Sequence, residues 1–119
     1  MWPNVQESKQ QNTTTEARIT FRTQRGILFV DPAQVVYLRA QSNYTEIHDH
    51  SGRFLLISKT LKDCAEKFPG HFLRTHQSYL VNPLFIQFYS KAESSVTLDN
   101  NIVLPVSRAK RKLLNALWS

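Results

Sequence analysis

From Ile19 onward, short apolar-rich runs are split by turn residues, and that pattern predicts strands. "RITF" (18–21) and "ILFV" (27–30) flank "RTQRG" (22–26), which reads as a hairpin with Gly26 in its turn. Asp31-Pro32 breaks the pattern and opens a single helical turn. "VVYLRA" (35–40), "TEIHDH" (45–50) and "RFLLIS" (53–58) follow, parted by Gln41-Ser42-Asn43 and by Ser51-Gly52. "SYLV" (78–81), "FIQFY" (85–89), "SVTL" (95–98) and "IVLPV" (102–106) complete the strand set, with "DNN" (99–101) as turn chemistry between the last two.

The period changes twice. Leu61, Cys64, Ala65 and Phe68 fall at helix spacing behind a Thr60/Asp63 cap, and Pro69-Gly70 closes that segment. Ser107 is the expected N-cap of a last helix. Its apolar face is Leu113, Leu114 and Leu117, and Arg108, Lys110, Arg111 and Lys112 make it basic. Many short strands with two short helices predict a mainly β domain over residues 18–119. Residues 1–17, centred on "SKQQNTTTEA", lack core formers and read as a flexible tail or linker remnant.

Composition narrows the class. With 119 residues and 41% hydrophobic content, the chain suits one domain with one real core. No apolar run approaches the ~18 residues of a membrane helix, and the N-terminus lacks a signal-type apolar stretch. Cys64 is the lone cysteine, which excludes an internal disulfide and favours a reducing, cytoplasmic setting. A formal charge of +6 and a pI near 9.8 favour a polyanionic partner.

Catalytic and metal chemistry have little support. His48 and His50 form H-x-H, which places two rings on one strand face, but zinc needs further ligands. Cys64 lies on the apolar side of its helix, as a structural thiol would. Ser78 lies two residues from His76, and neighbours in sequence on a strand face opposite ways or lie too far apart for a nucleophile–base hydrogen bond without special geometry. No phosphate-binding glycine loop or G-x-S-x-G is present, and the chain holds three glycines. No cofactor is expected. Hydrogen-bonding residues instead cluster at three turns: "QSNYT" (41–45), "RTHQS" (74–78) and "SRAKRK" (107–112). "SKT" (58–60), ahead of the first helix, suits a phosphate.

In order along the chain stand "NYTEIH", "SKTLKDC", "FLRTHQSYLVNP" and "LPVSRAKRKLL". This set, spread over residues 19–118, resembles the LytTR domain, the DNA-binding output module of bacterial response regulators. The resemblance implies an elongated β fold of about ten short strands in three small sheets with two short helices. It implies double-stranded promoter DNA as partner, commonly paired direct repeats. Loops would enter successive major grooves from one side of the duplex, without a recognition helix; a dimer on DNA is compatible with such sites. Carried over by position, the base-reading residues are Tyr44, Gln77 and Arg108. Asn43, Lys59, Thr60, Arg74, Ser78 and Ser107 would hold the DNA backbone or support the loops, while His76 and Asn82 would be structural. Where the family often has Arg, this chain has Gln77, and a Gln amide matches adenine rather than guanine. A receiver domain does not fit into residues 1–17. Two other readings stay open: a protein-interaction module that antagonises related regulators, and a single-strand or RNA binder that stacks bases on Tyr44.

Overall fold

The computed structural model describes residues 18–119; the predicted tail, residues 1–17, lies outside them. Among the described residues, ten strands form three antiparallel sheets, and two α-helices and two 3-10 turns join them. The largest sheet has five strands in the order β5-β4-β3-β7-β6. These are β3 (Val35–Gln41), β4 (Tyr44–Asp49), β5 (Phe54–Ile57), β6 (Leu73–His76) and β7 (Tyr79–Val81). β1 (Ile19–Thr23) and β2 (Gly26–Val30) form a separate hairpin. β8 (Ile86–Ser90), β9 (Ser95–Leu98) and β10 (Val103–Pro105) form the third sheet. The molecule is elongated, with extents of 43 × 31 × 23 Å.

The five-stranded sheet carries a core on each face. On one side Phe21 and Val30 of the hairpin meet Leu38, Ile47 and Leu80 of the sheet and Leu61, Cys64 and Phe68. The other side joins Tyr37 and Val81 to Val96, Leu98 and Leu104 of the small sheet, with Leu114. β3 is buried on both faces, which is why "VVYL" runs apolar without alternation. A register shift between Val35 and Tyr37 turns Val36 and Tyr37 together toward the second core.

Both helices carry the expected caps. Thr60 Oγ1 accepts from Asp63 N at 3.2 Å ahead of α1 (Leu61–Ala65). Ser107 Oγ accepts from Lys110 N at 3.3 Å ahead of α2 (Arg108–Trp118). Three details differ from the pattern. α1 stops at Ala65, and Phe68 reaches the core through tight turns, with Lys67 N on Cys64 O and Phe68 N on Ala65 O. Gly26 is the first residue of β2, paired with Thr23, rather than part of the turn; its φ of +147° suits glycine. In α2 the apolar stripe is only partly used: Leu114 is buried, while Leu113 and Leu117 are more than half exposed.

Asn82 closes the far end of the sheet. It is fully buried, its amide donates to Val35 O at 2.9 Å, and its carbonyl oxygen accepts from Leu84 N at 3.0 Å. That fixes the turn into Pro83.

Leu114 is the buried anchor of α2, so Leu114→Ala should destabilise the protein by about 2–5 kcal/mol. Leu113→Ala, one position away on the exposed side, should change stability by less than about 0.5 kcal/mol. Urea unfolding of the two variants checks the contrast.

Candidate nucleic-acid interface

Strand polarity gathers the four polar segments at one end of the large sheet. β3 ends at Gln41, and a two-residue turn, Ser42–Asn43, returns the chain at Tyr44, which pairs with Gln41. Ser42 takes φ +58°, the left-handed conformation such a turn needs. β7 runs antiparallel to β3 with Tyr79 opposite Arg39, so the turn Gln77–Ser78 stands beside the first turn. A backbone hydrogen bond from Ala40 N to Ser78 O at 2.9 Å joins them. β5 ends at Ile57 opposite Thr45, and Ser58-Lys59-Thr60 leaves from that same end. Thr45 Oγ1 donates to Lys59 O at 2.8 Å. On the opposite flank, Ser107 N donates to Thr75 O at 2.8 Å, which sets the start of α2 against edge strand β6. The resulting row reads Lys59/Thr60, Asn43/Tyr44, Gln77/Ser78, Ser107/Arg108. With strands about 4.8 Å apart, the two hairpin tips stand roughly 10 Å from each other.

Within the row, side chains divide into exposed and committed ones. Tyr44 is 44% exposed, and Asn43, Gln77 and Arg108 are also exposed. Arg74 is committed: its Nη2 donates to Gln77 O at 2.8 Å and its Nε to His76 O at 3.2 Å. His76 Nδ1 accepts from Ser78 N at 3.0 Å. A register shift between Arg74 and His76 aims the turn that these contacts brace. The hydroxyls of Thr60 and Ser107 cap their helices.

Beneath the first turn lies a group centred on Glu46, which, like Arg39, the sequence reading did not single out. Arg39, Gln41, Glu46 and His48 share one sheet face with Tyr44 through the β3–β4 register. Glu46 is nearly buried. Its carboxylate accepts from Gln41 Nε2 at 3.0 Å, contacts His48 Nε2 at 2.9 Å and pairs with Arg39 Nη1 at 3.5 Å. Burial pushes this carboxyl up, but the hydrogen bonds from His48 and Gln41 and the Arg39 charge outweigh it and hold the group below the ordinary glutamate range. The period-two alternation of "RAQ" and "YTEIH" was the available signal.

The other candidate chemistries are dispersed. His48 lies between the rings of Tyr37 (4.3 Å) and Phe54 (4.9 Å) and bonds Glu46. His50 bonds Gln34 Oε1 at 2.7 Å. Among the described residues, no three His, Cys, Asp or Glu side chains gather as a metal site. Cys64 is buried, and burial pushes its thiol up, away from the reactive thiolate. No helix among these residues is long and apolar enough to cross a membrane.

The described residues thus form a three-sheet β scaffold with four polar segments gathered at one end of its largest sheet. The family model of the LytTr DNA-binding domain matches residues 25–119, and the chain belongs to that family. Over 93 residues it is 30% identical to the CO-responsive transcriptional regulator RcoM of Rhodospirillum rubrum, covering 75% of this chain and 39% of that protein. The chain thus spans well under half of that relative's length. Among solved structures, the LytTr DNA-binding domain of a Bacillus cereus protein described as a methyl-accepting/DNA response regulator aligns with a TM-score of 0.69 at 25% identity. That match covers 85% of this chain and 95% of the other.

Because the folded state holds the Glu46 carboxyl down, the unfolded chain takes up its proton first as pH falls. The stability from Glu46 is fully present above the ordinary glutamate range and is lost as pH drops through the folded value. Glu46→Gln should therefore flatten that part of the stability–pH curve. Urea unfolding of both proteins from neutral to acid pH measures it.

Proposed function

We propose that this domain binds double-stranded promoter DNA sequence-specifically, as the output part of a bacterial response regulator in the cytoplasm, through loops that enter the major groove. The observation that carries the reading is the single edge on which Lys59, Tyr44, Gln77 and Arg108 stand in order, linked by the Ala40–Ser78 and Ser107–Thr75 hydrogen bonds. Tyr44, Gln77 and Arg108 read bases. Roughly 10 Å between the first two tips lies within a major groove about 12 Å wide. Arg108 offers a bidentate fork to guanine O6 and N7, and the Gln77 amide matches adenine N6 and N7. Asn43 and Lys59 meet phosphates. Arg74, Ser78, Thr60 and Ser107 keep the turns rigid, since a base reader that moves by an ångström loses its hydrogen bonds. Paired direct repeats would let two copies sit along one face of the duplex.

A protein-interaction module is the second reading, favoured by Phe54 and Leu56, each about half exposed on edge strand β5. Selection of bound sequences from a random duplex library, at a stated salt concentration, decides between them. A consensus of spaced repeats is expected; recovery of no consensus, or equal binding to single strands, removes the DNA-reading proposal.

On the selected site, Gln77→Arg should move the preference at one base pair from adenine to guanine by about 1–3 kcal/mol. Binding to all four base-pair variants measures it. If roughly 6 phosphates are neutralised, log K should fall with log salt at a slope near −5. Lys59→Ala should flatten that slope by about one and leave the base preference unchanged.

A further inference from the structure

Arg39 stands between the two hairpin tips. β3 lies between β4 and β7 in the sheet. Arg39 is opposite Glu46 on one side and opposite Tyr79 on the other, two residues in from the turn. Its side chain is 43% exposed, while that of the Glu46 partner is 9% exposed. The 3.5 Å separation is longer than a tight charge-assisted hydrogen bond. Glu46 already takes Gln41 on one oxygen and His48 on the other. The guanidinium is thus tethered at one nitrogen, with other N–H groups unused by any protein contact among the described residues.

Electrostatics make this placement consequential. Glu46 is an anion close behind an edge that approaches a polyanion. A phosphate of the groove rim brought up against the sheet behind the tips would be repelled by it unless a cation stood in between. Arg39 is the cation in that position, and its tether to Glu46 lowers the entropy lost when it meets a phosphate. We infer that Arg39, held by Glu46, is a further DNA-backbone contact, gripping a phosphate on the rim of the groove whose bases Tyr44 and Gln77 face. This rests on the DNA-binding reading above.

The experiment measures the salt dependence of binding to a duplex of random sequence and fixed length, which needs no knowledge of the consensus. Arg39→Gln keeps a donor for Glu46 and removes the charge, so the log K–log salt slope should become shallower by about 0.9. Arg39→Lys should retain the wild-type slope. Should Arg39→Gln unfold because the Glu46 carboxylate loses the one guanidinium charge beside it, the double variant Arg39→Gln, Glu46→Gln is compared with Glu46→Gln alone, and the same difference is expected. A purely structural Arg39 would lower the melting temperature and leave the slope untouched, and that result overturns the inference. Wild-type protein that fails to bind duplex at all would instead sink the DNA-binding reading itself.

Discussion

One backbone hydrogen bond carries much of the arrangement: Ala40 N to Ser78 O, at 2.9 Å, between residues far apart in sequence. It extends the antiparallel pairing of Tyr37, Leu38 and Arg39 with Val81, Leu80 and Tyr79 up to the sheet's end. It carries the pairing one step beyond Arg39–Tyr79 and ties the two hairpin tips directly, so that side chains on both stand at a spacing set by the sheet. A slip of one residue between β3 and β7 would swap the faces of Leu38 and Tyr37. Both cores oppose that slip, because Leu38 is buried in one and Tyr37 in the other.

The sandwich on both sides of β3 anchors the strands from which the polar turns leave. α1 and the β1–β2 hairpin cover one face, while the small sheet and α2 cover part of the other. The two helices among them also deliver a segment each to the polar edge. α1 is entered through Lys59 and Thr60, and α2 through Ser107 and Arg108. Packing and site assembly are therefore the same event: docking Leu61 and Leu114 sets where those segments stand. The exposed remainder of the second face, with Phe54 stacked on His48, belongs to the half of the sheet that α2 does not reach.

Glu46 shows how a buried charge can be tolerated next to a basic edge. Gln41, His48 and Arg39 all turn donors toward it. The carboxylate stays ionised because those partners outweigh its desolvation. Gln41 is opposite Tyr44, so this network also braces the first turn from below.

Much of this was legible in the chain. Short apolar-rich runs between turn residues marked the strands, Thr60 and Ser107 announced the helices, and the ordered motifs pointed to the family. Those signals are local, set by propensity, capping and face alternation within a few residues. Local pattern did not show that α1 ends at Ala65, that Leu113 and Leu117 face outward, or that Arg74 braces its own turn. Nor did it single out Glu46, since a glutamate on a strand looks solvent-facing until neighbouring strands supply its donors. Which turns share an edge follows from strand order and register, and these depend on pairing between distant segments as two cores are buried at once. The alphabet of contacts was therefore present in the sequence, whereas the row formed by Lys59, Tyr44, Gln77 and Arg108 exists only once long-range pairing has chosen β5-β4-β3-β7-β6.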